Sequence, residues 1–169
     1  MKIFVITGPS SCGKTTTVNH LAKLGYPVLH EVAREIILEG QLHPRTAAFQ
    51  EELAKRHFAA ETATRAQNHK IVFLDRGLYD NAAFCRHFGI TQLPIALQAG
   101  MHYDAVFALE SLHNFEQDGV RVESGREEAI AISNLIKEEY DKRGVQHIAV
   151  PALSVAERVD FILKHALTL

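Results

Sequence analysis

A chain of 169 residues, 47% hydrophobic and 22% charged, has the size and composition of one folded domain that buries roughly 70% of its unfolded surface, which excludes a disordered or fibrous protein. A formal net charge of −2 lacks the basic bias of a domain that grips a nucleic-acid backbone, so nucleic acid is not an expected partner. No apolar run approaches the roughly 18 residues of a membrane span, and Met1 leads straight into a strand without a cleavable signal region; the expectation is no membrane association and a cytoplasmic location.

Lys2 to Thr7 reads as a buried strand, because Ile3, Phe4, Val5 and Ile6 form an unbroken apolar run closed by Gly8 and Pro9. Apolar positions at Val18, Leu21, Ala22 and Leu24 give helical spacing from Lys14 to Leu24, with Gly25 as the stop. Pro27 to His30 is a second short strand and Glu31 to Glu39 a helix ended by Gly40. Beyond Pro44 a long helix runs from about Thr46 to Gln67, with Phe49, Leu53 and Phe58 on its inward face.

Ile71 to Leu74 is the third strand, ending at Asp75, and Arg76 and Gly77 turn the chain into a helix around Tyr79 to His87. Gln92 to Ala99 adds a helical turn, and Ala105 to Leu109 is the fourth strand. The stretch from 111 to 126 is polar and unpatterned, the mark of a functional, lid-like loop. Glu127 to Arg143 is an amphipathic helix ended by Gly144; Gln146 to Val150 is the last strand and Val155 to Leu167 the last helix. Strands buried on both faces and alternating with helices predict an α/β fold: one domain over 1–169 with a five-stranded parallel sheet, helices on both faces, and ligands at the carboxyl ends of the strands.

Ten histidines raise the question of a metal, but no two have the short spacing that sets two rings on one helix face. Cys12 and Cys85 are too few for a disulfide framework and read as reduced thiols.

Gly8-Pro9-Ser10-Ser11-Cys12-Gly13-Lys14-Thr15 follows a strand, opens a helix and matches Gly-x-x-x-x-Gly-Lys-Ser/Thr, the phosphate-binding P-loop. Glycines let successive N–H groups point inward as an anion nest, and the helix behind adds its positive end. Gly8, Ser10, Ser11, Cys12, Gly13, Lys14, Thr15 and Thr16 are therefore the expected nucleotide-binding set, with Lys14 as the point charge on the terminal phosphates and the Thr15 hydroxyl on Mg2+. Asp75, at the end of an apolar strand, is the second candidate for the Mg2+ shell; an Asp there also suits a cap on the following helix. Glu31 follows the second strand and is placed to act as general base, although an acid in a first helical turn is favoured by the macrodipole alone. Arg76 would sit beside the transferring phosphate, and Arg121 and Arg126 belong to the polar loop, either closing on the phosphates or standing as solvated charges.

These residues resemble the small P-loop kinase-like domains grouped with the AAA-type ATPases, which include the ribosylnicotinamide kinase domain of the bacterial NAD regulator. The resemblance covers essentially the whole chain and rests on the Gly8 to Thr15 loop, on Glu31-Val32-Ala33-Arg34-Glu35, on Asp75-Arg76-Gly77 and on the closing stretch from Val150-Pro151 to Val159-Asp160-Phe161-Ile162. Glu31 to Arg34 is also similar to the Glu-Pro-Val segment of deoxynucleoside kinases, with Val32 in place of the proline, and Asp75-Arg76 to the Asp-Arg or Glu-Arg pair of those enzymes and of thymidylate kinases. What this implies is kinase roles for Glu31, Asp75 and Arg76.

The leading expectation is an ATP- and Mg2+-dependent kinase that moves the γ-phosphoryl group to a nucleoside, nucleotide or ribosyl cofactor precursor. An ATPase or nucleotide-dependent switch acting on a protein partner is the alternative, since the same loop serves both. A binding module with little turnover is the third. The sequence lacks an Asn-Lys-x-Asp segment to read guanine, which favours ATP over GTP.

Overall fold

The structure, a computed structural model, describes residues 1–110 and 125–169. Five strands, β1 (Lys2–Thr7), β2 (Val28–Leu29), β3 (Ile71–Asp75), β4 (Ala105–Leu109) and β5 (His147–Val150), form one sheet in the order β2-β3-β1-β4-β5. Every pairing is parallel, and Ile6 lies opposite Asp75 while Thr7 lies opposite Ala108. With all strands running one way, their carboxyl ends share one edge. The order also reverses around β1, because the chain builds outward to β3 and β2 on one side and to β4 and β5 on the other. That reversal opens the crevice in which α/β proteins hold ligands.

The described residues form six α-helices around the sheet: α1 (Lys14–Lys23), α2 (Ala33–Glu39), α3 (Ala47–Arg65), α4 (Leu78–His87), α5 (Arg126–Asp141) and α6 (Val155–Thr168). The pleat divides the strand side chains between two cores. Ile3, Val5, Val72, Leu74 and Val106 pack with α3, α4 and α5, whereas Phe4, Ile6, Phe73 and Phe107 pack with α1 and α6. A smaller cluster of Val32, Ile36, Phe49 and Leu53 joins α2 to α3. Among the described residues no helix is long and apolar enough to cross a membrane.

Two of the boundaries that differ from the sequence reading bear on the site. The edge strand β2 has a neighbour on one side only and pairs with β3 through two residues, Val28 and Leu29, so His30 and Glu31 leave the sheet. Helix α2 then begins at Ala33, with Glu35 as the acid of its first turn. Glu31 therefore stands on the connection ahead of the helix, and the macrodipole does not account for it.

Candidate functional site

The loop after β1 turns on two glycines. At Gly8 (φ +141°) a Cβ would lie 2.6 Å from the Leu109 carbonyl oxygen and 2.9 Å from Cys12 Sγ; at Gly13 (φ +86°) it would lie 2.6 Å from Arg158 Nη1. Both positions combine a left-handed backbone with a close approach that only glycine permits. Ser11 between them is also left-handed (φ 63°), and Cys12 is fully buried behind the loop. Ser10 and Ser11 are half-buried and Thr16 is exposed on the first turn of α1.

The chain enters α1 at Lys14, where the opening N–H groups have no intrahelical carbonyl and carry the positive end of the helix dipole. Lys14 is 7% exposed, and its ammonium donates to the carbonyls of Gly8 (3.1 Å) and Pro9 (2.8 Å), with Cys12 Sγ at 3.9 Å. A cation is thus held over the mouth of the loop by the loop itself.

β3 brings Asp75 to the same edge. The Thr15 hydroxyl donates to Asp75 Oδ2 at 2.9 Å, while Oδ1 is buried with no hydrogen-bond partner among the described residues. Burial pushes the Asp75 carboxyl above its ordinary range and the nearby Glu31 carboxylate pushes it further, against the pull of Lys14, the Thr15 hydroxyl and Arg76. A buried carboxylate with one oxygen on a hydroxyl and the other unpartnered fits a hard cation that takes oxygen ligands. Asp75 does not cap α4: the Gly77 N–H at that helix start donates to Asp80 Oδ2 (3.1 Å).

Arg76 follows in a left-handed conformation (φ 68°), with its N–H on the Ile6 carbonyl (3.0 Å). This turn throws the side chain back across the edge. Nε donates to Glu31 Oε1 (3.1 Å), Nη1 donates to Asp80 Oδ1 (3.0 Å), and the guanidinium lies 5.3 Å from the centroid of the Phe84 ring. Asp80 is a buried hub, accepting in addition from the Thr7 hydroxyl (2.5 Å) and the Tyr140 hydroxyl (2.7 Å). Burial, then the Asp80 charge, drive the Tyr140 phenol well above its ordinary range, so it remains a donor. The orientation of Arg76 is set from α4 and α5 together.

The structure brings Lys14, Thr15, Glu31, Asp75 and Arg76 to one edge of the sheet. Arg126 stands apart as an exposed residue opening α5, and Arg121 lies outside the described residues, as does most of the 111–126 stretch. Sequence reasoning missed Thr7, Asp80, Tyr140 and Arg158. Asp80 carried a usable signal, four residues after Arg76 and so on the same helical face. The other three carried none.

A family model described as AAA domain matches residues 3–158. No curated protein matches the chain. Among solved structures, the chain is similar to a deoxyadenosine kinase from M. mycoides with products dCMP and a flexible dCDP bound, at 15% identity and a TM-score of 0.63, over 99% of this chain and 100% of that one. It is similar to a thymidylate kinase from Ehrlichia chaffeensis at 14% identity and a TM-score of 0.66, over 97% of each chain. It is also similar to NadR protein in complex with NAD and AMP-PNP at 17% identity and a TM-score of 0.72, over 98% of this chain and 49% of that one. At such identities the likeness is one of fold, the α/β P-loop fold shared by these kinases.

Proposed function

The chain belongs to the AAA domain family, and from that premise we propose that it is an ATP-dependent kinase transferring the γ-phosphoryl group to a small metabolite. The observation that carries the proposal is the placement of Glu31. Its carboxylate stands free of α2, at the edge that holds the Gly8 to Thr15 loop, paired with Arg76 and close enough to Asp75 to raise that carboxyl. A loop that only bound a nucleotide has no need of a second acid there, whereas transfer to a hydroxyl needs a proton acceptor.

In this reading Gly8, Ser10, Ser11, Cys12, Gly13, Lys14, Thr15 and Thr16 would cradle the phosphates, and Thr15 and Asp75 would hold Mg2+, which when bound would neutralise charge on the phosphate oxygens. Glu31 takes the proton of the acceptor hydroxyl as that oxygen bonds to the γ-phosphorus and the bond to the leaving ADP oxygen breaks. Arg76, held by Asp80, faces the charge that develops, and Arg126 with Arg121 would close over it from the 111–126 side. A nucleoside, nucleotide or ribosyl cofactor precursor is the proposed acceptor class. The support is that neighbours of the same fold are a deoxyadenosine kinase, a thymidylate kinase and a NadR protein solved with NR.

The test is ADP release with Mg·ATP, alone and against a panel of nucleosides, nucleotides and nicotinamide riboside. Acceleration by one member supports the kinase reading and names the acceptor. Steady release that no acceptor changes favours an ATPase or switch with a protein partner.

A pH dependence follows from Asp75. Its folded value lies above its unfolded one, so the group's contribution to the nucleotide-free fold is fully present below the ordinary carboxylate range and is lost as pH rises through the raised value. A cation needs the ionised form, so affinity for Mg·ATP should fall as pH drops into that raised range, and binding there should release a proton. Calorimetry in two buffers of different ionisation enthalpy measures the release. Asp75→Asn should abolish it.

A further inference from the structure

Arg158 lies on the first turn of α6, where the Ser154 hydroxyl accepts from the Glu157 N–H (3.4 Å) and the Glu157 carboxylate accepts from the Ser154 N–H (3.1 Å). That cap sets the register of the turn, and Arg158 runs inward, 2% exposed. Its Nη1 donates to the carbonyls of Cys12 (3.0 Å) and Gly13 (3.4 Å) and to the Thr17 hydroxyl (3.2 Å), and its Nη2 donates to the Leu153 carbonyl (3.1 Å). Nε is buried without a partner among the described residues.

None of the ion pairs among the described residues includes Arg158. A guanidinium does not surrender its proton inside a protein, so a full positive charge is buried against the loop, answered among the described residues by dipoles alone. Burying a charge unpaired is costly, and a purely structural tie between α6 and the loop would be met more cheaply by a neutral amide.

The two loop carbonyls it holds are one end of the Cys12–Gly13 and Gly13–Lys14 peptide units; the other ends are the N–H groups of Gly13 and Lys14, where the loop enters α1. A donor on the oxygen of an amide polarises the whole unit and strengthens its N–H as a donor. Gly13 makes the approach possible, since a Cβ there would lie 2.6 Å from Nη1.

We propose that Arg158 is a positioning residue for phosphate binding, which holds the loop open to a polyanion and passes its charge through these two peptide units to the terminal phosphates of a nucleoside triphosphate. The proposal rests on the nucleotide reading above. The bound polyphosphate is the counter-charge that the described residues do not supply.

Calorimetric binding of Mg·ATP to the full chain, paired with urea unfolding without nucleotide, tests it on wild type, Arg158→Met and Arg158→Lys. The Met variant should bind about 10- to 100-fold more weakly, and the Lys variant, which keeps the charge without the fork, should return to within about 5-fold of wild type. If the Met variant fails to unfold cooperatively, Arg158→Gln, a neutral donor, takes its place with the same expectation. Wild-type affinity in the neutral variant overturns the proposal. So does an equal loss in neutral and Lys variants that both fold, because the charge would then be irrelevant. A wild-type protein that does not bind Mg·ATP defeats the nucleotide reading itself, and the proposal with it, whereas tight wild-type binding with unaltered variants defeats the Arg158 inference alone.

Discussion

Lys14→Ala should lower ATP turnover by at least about 10³-fold, the scale seen when a preorganised positive group is removed from a phosphoryl-transfer site. The buried ammonium rests on the carbonyls of Gly8 and Pro9, so the change removes the charge and also two donors that shape the mouth of the loop. In the proposed reading both losses act on phosphate binding. Steady-state ADP release measures the effect, and far-UV circular dichroism checks that the sheet survives. Turnover at the wild-type rate would remove the phosphate role from this loop.

Glu31→Gln should reduce acceptor-dependent transfer by about 10²- to 10⁴-fold, the range for loss of a positioned general base. Nucleotide affinity is expected to hold within about 3-fold or to improve. The amide oxygen of glutamine still accepts from Arg76 Nε, so the arginine keeps its place. The Glu31 charge also helps to keep the Asp75 carboxyl above its ordinary range, and its removal favours the ionised Asp75 that a cation needs. Loss of transfer with retained binding is thus a signature that a damaged fold does not produce. Measured side by side, unaltered transfer would strip Glu31 of the proton and leave it as the partner of Arg76.

Much of the architecture was legible because strand and helix signals are local. Apolar runs of four or five residues marked β1, β3 and β4 as buried, with Gly-Pro closing the first and Asp the second, and burial on both faces implied a parallel sheet. The edge strand β2 was read too long, since it pairs on a single side and leaves β3 after Leu29, and no residue in Pro27 to His30 announces that point. The same error placed Glu31 inside a helix.

The amino-acid sequence by itself determined the phosphate loop, because eight contiguous residues and the elements flanking them set the backbone conformation there through steric rules that act over a few bonds. Only the tertiary structure decided what surrounds that loop. The Arg76–Glu31 pair spans 45 positions, Thr7 and Asp80 are 73 apart, and Arg158 reaches Cys12 across 146. Contacts of that separation depend on which strands become neighbours and on how each helix is turned over the sheet, and those are set by burial of whole faces, a property of the packed chain that no local spacing encodes.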